Sequence, residues 1–560
     1  MFSKLSLKIS KKNNLTFILL IIFTIIISLI EFIGISAIIP FINIITNDSI
    51  IYTNKYLYYI YNKFGFSSKE SFIIVFGILL VLYFLLRGIL NVLHQYLTAK
   101  YAYRQYYRMA EKLFIRYINL KYQDFRSLTT STINRSIVNE AINSSQYDIS
   151  LLTIVSEIFI VLLLYSLLIY FNFKVTIFIT IFFGLLIAFL FRYISRKTKE
   201  ASRIRSRNIK NIYNVISNTV FNFKIIKTIS VEQSLHTKFI NHINAIANVY
   251  TLTRTLNNIP RLFLETLGFS VIIIFFLYIL YFNKGNLSYA ITFVSVYVIA
   301  LYRMLPSFTR ILSNYNTLQF NSRSKEIIKA ELNRPVELLG NNDITFNHSI
   351  DIINISFSYS KNKPILKNVN MHIKKGDKVG IIGESGIGKS TLLDILMGFL
   401  KPTKGNILID NVELSEENLI SWRKKVGYIP QHIYLLNDTI KNNILFGRKL
   451  DNDKLDLVIK QARISHLMKH GDSIVGEGGL KLSGGERQRI AIARALYGNP
   501  EVIIMDEATS ALDFDIENKI LEDLFRECFD KTIFIVTHRI NTIQKCNKIY
   551  RIIDTKVILL

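Results

Sequence analysis

Eight consecutive residues, Gly383-Glu384-Ser385-Gly386-Ile387-Gly388-Lys389-Ser390, follow a short apolar run, Val379 to Ile382, and open a helical pattern, Thr391 to Leu400. The spacing suits a phosphate chain. Glycines let successive backbone N–H groups face the anion, Lys389 brings positive charge to the β and γ oxygens, and Ser390 offers a hydroxyl to Mg²⁺. A second apolar run, Val502 to Met505, ends in Asp506-Glu507. Two acids after a strand are ordinarily just solvated. Beside a phosphate-cradling loop, Asp506 fits the carboxylate on the metal side, and Glu507 stands where it can polarise a water for attack on the γ-phosphate.

The elements that must hold these groups begin at Asp351, where short β-branched runs alternate with amphipathic helices, the texture of an α/β domain. Residues 351–560 are read as a nucleotide-binding domain, 336–350 as a linker and 1–335 as a membrane domain. Half of the 560 residues are hydrophobic and the mean hydropathy is +0.30, which excludes a disordered or collagen-like chain. The two cysteines, Cys528 and Cys546, allow neither a zinc spacing nor a disulfide framework and suit a reducing cytoplasm.

Apolar runs of spanning length occur at 15–39, 71–93, 151–171, 175–191, 262–282 and 288–309. The first is too long for a signal-peptide core and lacks a small-residue cleavage site after it, so it is read as an uncleaved span. The formal charge of +27 is carried mostly by the first 350 residues, with 37 basic and 15 acidic side chains. Such an excess suggests nucleic acid, but it flanks the spans, where it sets orientation instead. Of those 37, 28 fall before the first span, in segments 94–150 and 192–259, or after the sixth, and 5 on the opposite side. Both termini and both long segments are therefore expected in the cytoplasm. Arg87, Arg261, Arg303 and Arg310 lie in or at the edges of the inner half of the spans. Each either snorkels, pairs with an acid such as Glu157 or Glu265, or lines a basic cavity for an anionic head group. The one long outer segment, Asn47 to Glu70, is rich in tyrosine and phenylalanine, as an aromatic belt or an interfacial segment would be.

Leu482-Ser483-Gly484-Gly485-Glu486, followed by Arg487 and Gln488, narrows the family when taken with the phosphate loop. Together they resemble the motifs of ABC ATPases, whose order this sequence follows. The resemblance implies ATP and Mg²⁺ as cofactors and ATP hydrolysis as the activity. It makes Tyr359 the aromatic that stacks on adenine and Gln431 the glutamine that senses Mg²⁺. Ser510 to Asp513 become the D-loop, and His538 the switch histidine beside the γ-phosphate. It places Gly383, Glu384, Ser385, Gly386, Gly388, Lys389, Ser390, Thr391 and Asp506 around the nucleotide, with the metal held by Ser390, Gln431 and Asp506. Ser483, Gly484, Gly485 and Glu486 complete the site of a second copy. One chain has one loop and one signature, so a homodimer is implied. The signature ends in Glu486 rather than the commoner Gln. Chromosome-organising ATPases share the signature, but this chain has no long heptad coiled coil and does have six apolar spans. The fold expected is a six-helix α-helical transmembrane domain followed by an α/β P-loop ABC ATPase domain, the type IV ABC exporter architecture.

In the membrane part, Ser28-Leu29-Ile30-Glu31-Phe32 leading to Pro40-Phe41-Ile42, Pro260-Arg261-Leu262-Phe263-Leu264-Glu265, and Leu301-Tyr302-Arg303-Met304-Leu305-Pro306 resemble the PglK-type flippases of bacterial protein N-glycosylation. That resemblance implies ATP-driven flipping of an undecaprenyl-pyrophosphate-linked oligosaccharide from the inner to the outer leaflet of the cytoplasmic (inner) membrane. It makes Arg87, Arg261, Arg303 and Arg310 the lining of a pyrophosphate cavity. Tyr52, Tyr56 and Tyr59 would meet the polyprenyl tail, and segments 122–126 and 231–238 would be the joints that pass motion to the spans. Export of another glycolipid of O-antigen type, another lipid or a peptide is the alternative. No peptidase domain is read before the first span, and no nucleic-acid partner is expected.

Overall fold

An apolar run that must satisfy its own N–H and C=O groups away from water does so as a helix, and each of the six runs lies on one. They are α1 (Lys11–Thr46), α2 (Lys69–Ile118), α3 (Ala141–Phe171), α4 (Phe173–Phe221), α5 (Glu232–Phe282) and α6 (Leu287–Leu332). The computed structural model of the chain describes residues 11–46, 51, 54–66, 68–282, 287–360, 363–470, 474–507, 514–537 and 543–560. Two units divide the chain: Met1–Asn119 with Leu128–Arg334, and Leu120–Ser127 with Pro335–Leu560.

In the first unit α6 packs along α3, α5 along α4, and α1 against α2 and α3. Among the described residues, Leu15–Ile42, Lys69–Ile118 and Thr130–Tyr170 are long and apolar enough to cross a membrane. The other three expected runs lie on α4, α5 and α6. On α2, Leu79, Leu82, Leu86 and Ile89 are exposed, a surface whose natural solvent is lipid. Pro40, Pro260 and Pro306 sit inside α1, α5 and α6, where neighbouring helices make a missing N–H tolerable. Ser68 caps α2 through a reciprocal bond with Ser71. Just before it, Leu57, Tyr61 and Phe66 pack on buried Ile44, Ile51 and Phe72. The short helix Lys55–Lys63 is thereby pinned on one side, with Tyr59 exposed on it.

The second unit is an α/β domain. Its six-stranded sheet has the order β10-β9-β3-β8-β7-β6, with β3 (Lys378–Ile382), β6 (Val426–Ile429), β7 (Val502–Asp506), β8 (Thr532–Val536) and β9 (Lys548–Ile553) parallel, and β10 (Lys556–Leu559) antiparallel at the edge. Every residue of β7 and β8 is buried, as strands covered on both faces require. A second, antiparallel sheet has the order β2-β1-β4-β5, built from β1 (Ser349–Ser360), β2 (Lys363–Lys374), β4 (Lys404–Ile409) and β5 (Val412–Glu413).

Two boundaries differ from the sequence expectation. Residues 336–350, expected as a linker, belong to the second unit: Ile344 and Phe346 are buried in its core, Phe346 edge-on to Trp422 at 6.1 Å, and β1 starts at Ser349. The helix after the phosphate loop, α7 (Lys389–Leu396), stops short of Leu400 because Gly398 takes φ +71 and its Cα lies against Leu419, where a side chain would collide.

Candidate functional site

In a parallel sheet the carboxyl ends of the strands collect the loops that bind ligands. Here β3 runs into the phosphate loop, the adjacent β8 ends at Val536, and β7 ends at Asp506. Gly388 holds φ +117, and a Cβ there would lie 2.8 Å from the Ile365 side chain, so only glycine fits the last turn of the loop. Lys389 opens α7 almost fully buried, and its Nζ donates to the carbonyls of Gly383 (2.8 Å) and Glu384 (3.1 Å). Burial pulls its pKa below the usual lysine range, against the pull of Glu507 and Asp506. Ser385 and Gly386 are exposed at the tip of the loop. Burial raises the Asp506 carboxyl, and a hydrogen bond with Ser390 partly offsets this.

Glu507 stands 3.9 Å from Lys389, and its Oε2 accepts a 2.7 Å hydrogen bond from Gln431 Nε2. Its backbone takes φ +48, held by its N–H bonding Val536 O across to β8. A non-glycine residue in that region costs of order 1 kcal/mol or more, and such positions gather at functional sites. Glu507, Gln431, Lys389, Ser390 and Asp506 thus converge from the ends of β3 and β7 and the segment after β6. His538 and Ser510 to Asp513 lie outside the described residues.

The hydroxyl and carboxylate of Ser390 and Asp506 are hard oxygen donors. Among the described residues no three acidic, histidine or cysteine side chains cluster as a metal cage. The two oxygens of Ser390 and Asp506 suit Mg²⁺, which takes one or two protein oxygens and shares the rest of its shell with phosphate and water. Ser390 and Asp506, with Gln431 beside them, fit it.

Tyr359 is half exposed at the end of β1, edge-on to Phe357, and its hydroxyl is 3.2 Å from Thr391 Oγ1. Arg126, on the short helix Tyr122–Arg126, donates to that hydroxyl at 3.3 Å, while the Tyr122 ring packs tilted against Phe399 at 5.2 Å. Nothing in the spacing of Arg126 signals this contact, which joins residues 233 positions apart in one unit. The second expected joint, 231–238, follows a short helix. A helix at Phe223–Ile229 ends on Ser230 in the left-handed region, and 232–238 open α5.

Ser483 caps the signature helix, α8 (Gly484–Leu496), in a reciprocal box: its Oγ accepts from the Glu486 N–H, and Glu486 Oε2 accepts from the Ser483 N–H at 2.7 Å. These bonds hold the Glu486 carboxyl below its usual range. Ser483 and Glu486 make no hydrogen bond or ion pair with the phosphate loop among the described residues. A capping box accepts Glu or Gln at this place, which explains the departure from the commoner residue. Glu486→Gln is expected to keep steady-state ATPase within about twofold of the parent, and Glu486→Ala to weaken the cap by about 1 kcal/mol. ATPase assays with thermal unfolding check both. The stability gained from ionised Glu486 is present above its unfolded pKa and fades as pH falls through the lower folded one, a dependence Glu486→Gln should abolish.

In the first unit, Arg87 Nη2 pairs with Glu31 Oε1 at 2.9 Å, Arg261 Nε with Glu265 at 2.8 Å, and Arg310 forks onto Glu157 at 2.5 and 3.2 Å. Three of the four arginines of interest are thus ion-paired. The Arg303 side chain lies outside those described, as do Tyr52 and the Tyr56 side chain.

Residues 366–510 match the family model for ABC transporters. The ATP-dependent lipid A-core flippase of Idiomarina loihiensis is 29% identical over 504 residues, covering 87% of this chain and 85% of that one. The alpha-hemolysin translocation ATP-binding protein HlyB of Escherichia coli O157:H7 is 42% identical over 228 residues, 39% of this chain and 32% of its own. A solved structure of a bacterial Atm1-family ABC exporter with ATP bound matches with a TM-score of 0.78 at 22% identity, covering 98% of this chain and 94% of that one. Long apolar helices followed in sequence by an ABC transporter ATPase domain give the chain the fold of that exporter. The chain hydrolyses ATP through an ABC transporter domain and over most of its length is related to the ATP-dependent lipid A-core flippases.

Proposed function

We propose that two copies of this chain form an ATP-driven flippase in the cytoplasmic membrane, both termini and the ATPase domain on the cytoplasmic side. The cargo is a lipid carrying a phosphorylated glycan, moved from the inner to the outer leaflet. The observation that carries this reading is the convergence of Lys389, Ser390, Gln431, Asp506 and Glu507 at one sheet edge of an exporter-fold chain. A phosphate-bearing cargo is supported by Arg87 and Arg310 on apolar helices, since guanidinium donors can replace the water of a phosphate. Exposed Tyr59, on a helix pinned by Tyr61 and Phe66, supports contact with the lipid tail.

Within that class we infer undecaprenyl-pyrophosphate-linked oligosaccharide as the cargo, on the membrane motifs around Glu31, Arg261 and Arg303. The names of the relatives favour a second reading, a lipid A-core type glycolipid. Proteoliposomes holding either labelled lipid separate the two. Transfer of the undecaprenyl-linked glycan that depends on ATP, without transfer of lipid A-core, is the expected result. Transfer of lipid A-core alone supports the second reading, and ATP hydrolysis without transfer of either refutes both.

A further inference from the structure

Well beyond the spans, the first unit holds an open cavity of ≈ 460 Å³ whose lining is strongly basic. Lys199, Arg203, Arg207 and Lys210 reach it from α4, Arg135 from the segment after Ser131, and Arg323 from α6. The α4 residues recur at steps of four, four and three, so they share one face of the helix. Among the described residues none of these four makes an ion pair. Arg135 is paired at 3.4 Å with Glu140, and Arg323 at 2.6 Å with Glu326, the one acid in the lining. Arg135 also begins a six-residue π-helix, Arg135–Glu140, a wide turn that is rare and gathers at functional sites. Serines 202, 206 and 322 share the lining with these cations and keep it open.

Cations on one helix face destabilise it unless a counter-charge is supplied. Membrane orientation explains why positive residues lie on this side, but scattered ones would serve it as well. Three helices agree on the depth. Counting from the spans ending at 191 and 309 and beginning at 151, the α4 residues lie about 12 to 28 Å beyond the apolar core, Arg323 about 21 Å and Arg135 about 24 Å. The head-group layer is only some 5 to 8 Å thick on each side. A phosphate attached to a membrane lipid would stay far short of the cavity.

We propose that this cavity is an anion site filled from the cytoplasm by a soluble, phosphate-rich ligand, separate from the phosphate loop. The volume is that of a small-molecule pocket, and the fork of each arginine suits phosphate oxygens. The assignment uses the positions of the spans and holds whatever the transported cargo is.

The test uses the full chain in neutral-lipid nanodiscs, with Lys389→Ala silencing the phosphate loop and tripolyphosphate as the calorimetric probe. One saturable event per chain is expected. Arg203→Ser with Arg207→Ser should weaken it about tenfold or more, and Glu326→Gln should tighten it, a gain that misfolding cannot produce. No binding in the Lys389→Ala background, or binding unmoved by these substitutions, overturns the proposal. Nanodiscs with anionic lipid distinguish the source of the ligand. Unchanged affinity is expected, and displacement of the probe by lipid would overturn the soluble ligand in favour of a head group.

Discussion

Glu507→Gln is expected to lower phosphate release about 100-fold or more while ATP still binds. The reasoning is geometric. Gln431 already donates to Glu507 Oε2 at 2.7 Å, and an amide oxygen in that place accepts the same bond. The left-handed backbone of residue 507 is held by its own N–H to Val536 O, which the substitution leaves untouched. What is lost is the ability of the carboxylate to take a proton from an attacking water, together with its charge 3.9 Å from Lys389. Binding can be followed in the same protein, because Trp422 is its only tryptophan. It is fully buried, and its Nε1 donates to Leu396 O at the end of α7, the helix that begins with Lys389. An ATP-dependent change in its fluorescence should persist in the variant. Release of phosphate at the parent's rate would remove Glu507 from the role of general base.

The nucleotide side of this protein was legible in the sequence because its chemistry depends on local order. A strand, a glycine-rich turn and a helix in succession place Lys389 and Ser390 without help from distant residues. The strand before Asp506 is short, wholly apolar and bounded, so β7 could be placed nearly to the residue. What escaped was set by distant contacts. The left-handed backbone of Glu507 depends on β8 lying beside β7, a pairing no spacing reveals. Arg126 reaches Tyr359 across 233 residues. Residues 336–350 read as a linker because they are short of periodic pattern, yet two apolar side chains, Ile344 and Phe346, anchor them in the core. Ser230, a residue without a turn preference as strong as glycine's, takes the left-handed conformation that separates the helix Phe223–Ile229 from α5. In the first unit, apolar length predicted the helices. The partners of the arginines were partly visible: Glu157 and Glu265 were expected on neighbouring helices, but only Glu157 pairs across helices, Glu265 lies one turn from Arg261 on α5, and Glu31 lies 56 positions before Arg87 with no periodic link to it.

The Arg87–Glu31 pair gives the second large effect, and it separates a structural arginine from one that receives cargo. Glu31 is 6% exposed and Arg87 22%, both on apolar helices, with Asn91 also reaching Glu31 at 3.5 Å. Arg87→Met alone takes the guanidinium away from a buried carboxylate, and breaking such a pair costs about 3–5 kcal/mol, so low yield and a lowered unfolding temperature are expected. That loss says nothing about transport. Arg87→Met with Glu31→Met removes both charges together, and replacing a buried pair by apolar side chains is commonly neutral or stabilising. The double variant is therefore expected to regain thermal stability and ATP hydrolysis. If Arg87 receives the cargo's phosphate, as proposed, the recovered protein should still fail to move lipid in proteoliposomes, because the guanidinium that would replace phosphate hydration is gone. If the pair only holds α1 to α2, flipping should return with stability. Arg261 and Glu265 make a poor control for this cycle. They are exposed and one turn apart on α5, where such a pair contributes little to stability, and both single and double substitutions there should unfold near the parent's temperature. Measured together, stability and flipping across the Arg87–Glu31 cycle assign the arginine to the framework or to the path of the lipid head group.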